Sequence, residues 1–200
     1  MKVFLYLLIS SCSVGLWLGC QPKNTPIVVT VFSRQDSVMQ QYLDLQDSLV
    51  IAWNNMVHDD NMKIKNLRYI LHELTTGKQV NTMVEQSFTA RLNQLLNIRF
   101  TEKTFSNADI VFEYDKQEEK LIEEITSMAY SSRFYNQNRM LQNLCNTVLD
   151  AEKNKNELRS QYNTIAKQFN QFVEIQKDLI LHADPSASIK PKSLFTLAKE

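Results

Sequence analysis

The chain has 200 residues, 44% of them hydrophobic, with 22 Lys and Arg set against 22 Asp and Glu and a formal net charge of zero at pH 7. That balance offers no basic patch for nucleic acid, and a chain of this length buries roughly 70% of its unfolded surface without metal or disulfide support. Three cysteines, one of them inside the leader described next, are too few for a disulfide framework.

Residues 1–19 read as a secretion signal, with Lys2 as the basic start, apolar stretches at 3–8 and 14–18, and Gly19 as a small residue before Cys20. The run is shorter than the roughly 20 apolar residues that span a bilayer. Leu18-Gly19-Cys20 resembles the lipobox of bacterial lipoproteins. The resemblance implies that Cys20 is acylated and becomes the first residue of the mature chain, anchored by more than one acyl chain. Gln21 is not the acidic residue associated with inner-membrane retention, so an outer membrane is the implied address where the cell has one. The other reading of these residues is an ordinary secretory signal with an incidental cysteine, or an uncleaved anchor. Residues 20–33 then form a tether, in which 27–32 is a short extended apolar segment expected to cover an end or groove of the domain.

From Pro26 to Pro185 the chain has no proline, and Gly77 is the only glycine after the leader. Apolar residues recur at three-and-four spacing throughout, so the fold class is all-α, an elongated antiparallel bundle of about four long helices over residues 34–182. In the first helix Val38, Tyr42, Leu45, Leu49, Ala52 and Met56 make one stripe, and Ile64, Leu67, Leu71 and Leu74 resume it after the polar His58-Asp59-Asp60-Asn61. The eight-residue step from Met56 to Ile64 predicts one long helix with a local irregularity. Ser33 or Asp36 caps its start, and Gly77 is expected to end it in a left-handed conformation.

A second helix is predicted over 80–100 with Met83, Val84, Phe88, Leu92, Leu95 and Leu96 as its buried stripe, followed by a polar connection around Phe105. The third helix begins near Ala108 or Asp109 and carries Val111, Phe112, Leu121, Ile125, Met128, Tyr135, Leu141, Leu144 and Val148. The charged stretch 150–155 predicts a turn. It lets a fourth helix fold back with the seam Leu158, Tyr162, Ile165, Phe169, Phe172, Gln176 and Leu179. Residues 183–200, with Pro185 and Pro191, are expected to be a mobile tail.

The run Ala129-Tyr130-Ser131-Ser132-Arg133-Phe134-Tyr135-Asn136, preceded by acidic residues from Glu118 to Glu124, is similar to a segment of LemA-family proteins. Ala52-Trp53, between Leu49 and Met56, resembles that family's first-helix motif, and 64–71 and 91–105 fall where it carries further apolar segments. The likeness covers roughly residues 42–143. It implies a membrane-tethered antiparallel bundle outside the cytoplasm.

The pairs Tyr135-Asn136, Tyr162-Asn163 and Phe169-Asn170, with Trp53, are the candidate interaction or core motif. Helix contacts account for them: rings fill an interface and amides at its rim bond a neighbouring helix. Metal chemistry finds little support, because Asn55, Tyr69 and Leu179 stand three residues before His58, His72 and His182, where a di-iron bundle would place Glu. At most, His58-Asp59-Asp60 offers a weak surface cation site. One glycine cannot make a phosphate loop, and Cys145 among Leu141, Leu144 and Val148 of the apolar stripe reads as a buried structural residue. No catalytic residue, metal or cofactor is therefore expected. The function expected is a structural or protein-interaction module of the cell envelope, docking other envelope proteins or copies of itself; the alternative is a sensor holding a small apolar ligand or lipid between helices. A filled interior favours the first, and a lined void beside Trp53, Tyr135 or Tyr162 the second.

Overall fold

A computed structural model describes residues 33–195; the leader, Cys20, the tether up to residue 32 and residues 196–200 lie outside the described residues. The chain is all-α. Its elements are α1 (Arg34–Thr76), α2 (Thr82–Ile98), α3 (Ala108–Ser131), a 3-10 turn (Tyr135–Gln137) and α4 (Arg139–Ala183), with no strand among the described residues.

Every helix begins on a side-chain cap that satisfies its free amides. Ser33 accepts from the Asp36 amide at 3.1 Å while Asp36 accepts from the Ser33 amide at 3.0 Å, a reciprocal capping box. Asn81, Asn107 and Asn138 cap the other three. α1 ends differently from the expectation. Gly77 has φ −74°, and the left-handed residue is Lys78 at φ 54°. Glycine stands at 77 for closeness instead: a Cβ there would lie 3.1 Å from the Phe134 ring and 3.2 Å from the Glu73 carbonyl oxygen. Because a side chain strains the left-handed conformation, Lys78→Gly is expected to raise stability by about 0.5–1 kcal/mol in urea unfolding.

α1 and α4, of 43 and 45 residues, are each roughly 65 Å long at the helical rise. They run antiparallel: Glu73 bonds Asn138, Lys63 meets Glu152, and the Tyr42 ring packs on Phe169. α2 and α3 are shorter and cover one half of this hairpin. Arg68 of α1 donates to Asn93 of α2, and Arg91 of α2 pairs with Glu124 of α3. Two apolar cores result. One, in the four-helix half, joins Ile64–Leu74 of α1, Leu92 and Leu95, Tyr114 to Ala129 of α3, and Leu141, Cys145 and Val148. The other, in the two-helix half, joins Val38 to Met56 with Tyr162, Ala166, Phe169, Val173 and Ile180.

Three expectations fail for definable reasons. α1 is one helix through 58–61, as expected, but α4 is also unbroken through 150–155, where a turn was expected. The break falls instead at 132–138, which the sequence reading placed inside the third helix; Ser132 closes α3 and Asn138 opens α4. Phe112 and Met83, assigned to buried stripes, are 68% and 74% exposed. Phe112 lies about 100° round the helix from Val111, which is the buried one, and Met83 sits in the first turn of α2 before its buried positions begin. Finally, the described part of the expected mobile tail is packed: residues 184–195 fold back along α1 and α4, and Phe195 is buried.

Candidate functional site

Between the two apolar cores, three helices each place charged residues on their inward stripes. On α1 the heptad position after Met56 is Lys63, 2% exposed. On α3 the stripe Val111, Tyr114, Leu121 is interrupted by Glu118, 1% exposed. On α4 the three-and-four stripe from Leu141 to Tyr162 passes through Glu152, Lys155 and Arg159. These charges meet one another. The Lys63 ammonium lies 2.7 Å from Glu118 and 2.9 Å from Glu152, and Lys155 pairs with Glu152 and lies 3.5 Å from Glu118. Arg159 makes a two-pronged bond to Asp115, both arms 2.7 Å. The Tyr114 hydroxyl donates to Asp60 at 2.6 Å, and Arg99 donates to both Asp60 and Asn61. The polar patch 58–61 is thus part of a bonded layer, which is why the helix runs straight through it.

Electrostatics in this layer follow from burial and crowding. Burial pushes the Glu118 carboxyl up to about 8, with Lys63 opposing and Asp60 and Glu152 reinforcing the rise. For Lys63 burial acts downward, yet Glu118 and Glu152 outweigh it and raise its ammonium above the ordinary range. Burial, aided by Glu118 and Asp60, likewise raises the Tyr114 phenol. Burial alone pushes the Cys145 thiol up to about 11, which keeps it protonated and unsuited to nucleophilic attack. Among the described residues no group of three His, Cys, Asp or Glu side chains is arranged to hold a metal ion.

Where the four-helix half meets the two-helix half, five rings close over the layer. Trp53 lies 5.4 Å from Phe105, 6.0 Å from Tyr162 and 6.3 Å from both Phe100 and Phe195, and the Arg159 guanidinium sits 5.4 Å from Phe100 and Phe195. The cavity beside Trp53, bounded also by Lys63, Tyr114 and Arg159, is about 30 Å³, room for roughly two waters. An open hollow on the outer side of Trp53, with Leu96, Phe100, Glu102 and Lys103, measures about 600 Å³.

Five of the seven residues singled out from the sequence come together here. Trp53 and Tyr162 belong to the ring cluster, Phe169 packs against Tyr42 at 5.9 Å, and Asn163 and Asn170 line the same face of α4. The two amides do not bond a neighbouring helix as expected. Asn163 donates to the Phe195 carbonyl at 2.9 Å and accepts from the Phe195 amide at 2.8 Å; Asn170 makes the same pair of bonds with Lys192, at 2.9 and 2.6 Å. Tyr135 and Asn136 lie apart, in the turn between α3 and α4. There Tyr135 packs edge-on against Tyr130 at 5.0 Å and Asn136 is exposed. The charged layer was missed although its signal was present: ionisable residues on inward stripes of three helices, of which only 58–61 and 150–155 drew comment, as a polar patch and a turn.

In comparisons with protein-family models, with curated proteins and with solved structures, nothing matched the chain.

Proposed function

We propose that the chain is a membrane-anchored, extracytoplasmic lipoprotein of LemA-like type that serves as a structural or protein-interaction module of the cell envelope. The observation that supports this most is the filled interior. Rings occupy the space beside Trp53 and Tyr162, and the 30 Å³ left over is an order of magnitude below the roughly 300 Å³ at which small-molecule pockets begin. The apolar surface that remains points outward. Leu43, Val50 and Ile51 recur at seven and eight residues along one side of α1, with Val50 55% and Ile51 59% exposed, and such stripes suit contact with another protein. No described helix is long and apolar enough to cross a membrane, so the attachment in this reading falls to Cys20, which lies outside the described residues.

The sensor alternative draws on the open hollow beside Trp53 and Phe100. Its mouth is wide and its rim carries Arg99, Glu102 and Lys103, a poor enclosure for an apolar ligand. Cys20→Ser is expected to move the protein from the membrane fraction to the soluble fraction. Retention of the variant in membranes refutes the lipid anchor. Cross-linking in intact cells from Val50, followed by identification of the attached proteins, tests the interaction surface.

A further inference from the structure

Five hydrogen bonds hold residues 184–195 in the groove between α1 and α4, and all five join a helix side chain to the main chain of the segment: two from Asn163, two from Asn170, and one from the Tyr42 hydroxyl to the Ser188 carbonyl at 3.0 Å. Among the described residues no main-chain bond ties 188–195 to either helix. The hydrogen bonding is thus recognition of the backbone. The spacing has a simple metric. Asn163 and Asn170 are one heptad apart, about 10.5 Å along a helix, and they grip residues three apart, which in an extended chain span about 10 Å. A helix with asparagine every seven residues therefore matches an extended peptide held at every third residue.

Side chains add to this grip where the segment packs on the core: Ala187, Ile189 and Leu194 are half-buried against it. Phe195 fills the ring cluster, 4.5 Å from Phe105 and 5.7 Å from Tyr162, and the Lys192 ammonium sits 5.6 Å over the Phe169 ring. Ser186, Ser188, Lys190, Pro191 and Ser193 face outward. Pro185 and Pro191 keep the segment from joining α4 and favour the extended form that the asparagines require. Its link to α4 is a single tight turn, closed by the Ala187 amide on the Asp184 carbonyl at 3.0 Å.

We propose that this groove is a docking site for an extended peptide, and that its occupant in an assembly is the same C-terminal segment of a second copy of the chain. The proposal deepens the interaction-module reading and rests on it. Opening the turn at 184–187 breaks one main-chain bond and the two exposed bonds that Ser186 donates to the Asp184 carboxylate, and insertion into a second copy remakes every groove contact named above, the low-cost route by which identical elements are exchanged between protomers. The chain's own segment competes at the high local concentration its short link imposes.

The competition supplies the test. A fluorescein-labelled synthetic peptide of residues 184–195 is added to the full chain and followed by anisotropy. Saturable binding is expected, at least about tenfold tighter to the Phe195→Ala chain, whose own segment holds the groove poorly, than to the wild type. With the Phe195→Ala chain as receptor, a peptide carrying Phe195→Ala, or the further substitution Asn163→Ala in the chain, is expected to weaken binding by at least about tenfold. In sedimentation the wild-type chain should pass from monomer to dimer with concentration, and the Phe195→Ala chain should remain monomeric. No saturable binding to either chain, or equal binding to both, overturns the docking site. Peptide binding by a chain that stays monomeric assigns the groove to a segment of another protein and overturns the second copy as its occupant. None of these outcomes alters the membrane release of Cys20→Ser, so failure here is separable from failure of the broader reading.

Discussion

Lys63→Met is expected to lower the unfolding free energy by about 3–5 kcal/mol at pH 9 and by less at pH 6, measured by urea unfolding followed by circular dichroism. The substitution keeps the length of the side chain and removes its charge, leaving Glu118 buried beside Glu152 and Asp60 without its nearest cation. Burial already lifts the Glu118 carboxyl from 4.5 to about 8 in the folded chain. A carboxyl raised in this way contributes stability that is complete below its unfolded value and lost as pH climbs through the folded one, at a slope of at most about 1.4 kcal/mol per pH unit. At pH 6 the orphaned Glu118 escapes its charge by keeping a proton; without Lys63, which opposed the rise, its carboxyl climbs further, so folding must hold that proton against a growing cost as pH rises toward 9. Removing both partners, as Lys63→Met with Glu118→Leu, should restore most of the loss, since a buried pair is often replaced by apolar residues at little cost while a broken one is not. A single substitution that costs under about 1 kcal/mol at both pH values would show that the layer is hydrated rather than buried.

Phe169→Ala carries the second large expectation, a loss of about 3–5 kcal/mol. Phe169 is fully buried in the second core, packed on Tyr42 of α1, so its removal leaves a space that close-packed neighbours fill only in part. The same substitution removes the ring under Lys192. Amide exchange at Lys192 and Phe195, whose N–H groups are held by Asn170 and Asn163, should quicken more than exchange at Leu141 or Val148 in the other core. A stability change below about 1 kcal/mol would mean that this end of α4 is not docked.

The apolar stripes were legible because they obey helical spacing. Val38 to Met56 and Leu158 to Leu179 needed no structure to be assigned to packed helices, and neither did the cap at Ser33. The errors share one origin. Charge was taken as a sign of solvent, so 150–155 was read as a turn and 58–61 as a polar patch on a continuous helix, whereas each supplies one side of a paired layer whose other sides lie far off in sequence. The true break at 132–138 was hidden because it contains neither glycine nor proline, and the asparagine cap at 138 looks like any other polar helical residue. Asn163 and Asn170 were noticed for their spacing, but their partners, the main-chain atoms of Phe195 and Lys192, carry no sequence signature at all. A segment with two prolines was likewise taken to be unattached, because nothing in its composition announces that side chains elsewhere will bond its backbone.

Two long helices with seven-residue repeats have an ambiguity of their own: slid past each other by one repeat, their stripes still meet. Lys63 removes it. Moved one repeat along α4 in one direction, its ammonium leaves Glu152 for the thiol of Cys145, and in the other direction it faces the guanidinium of Arg159. Both slipped pairings strand a cation, so the hairpin has one alignment rather than a ladder of near-equal ones, and every residue of the groove is thereby kept opposite its proper neighbour.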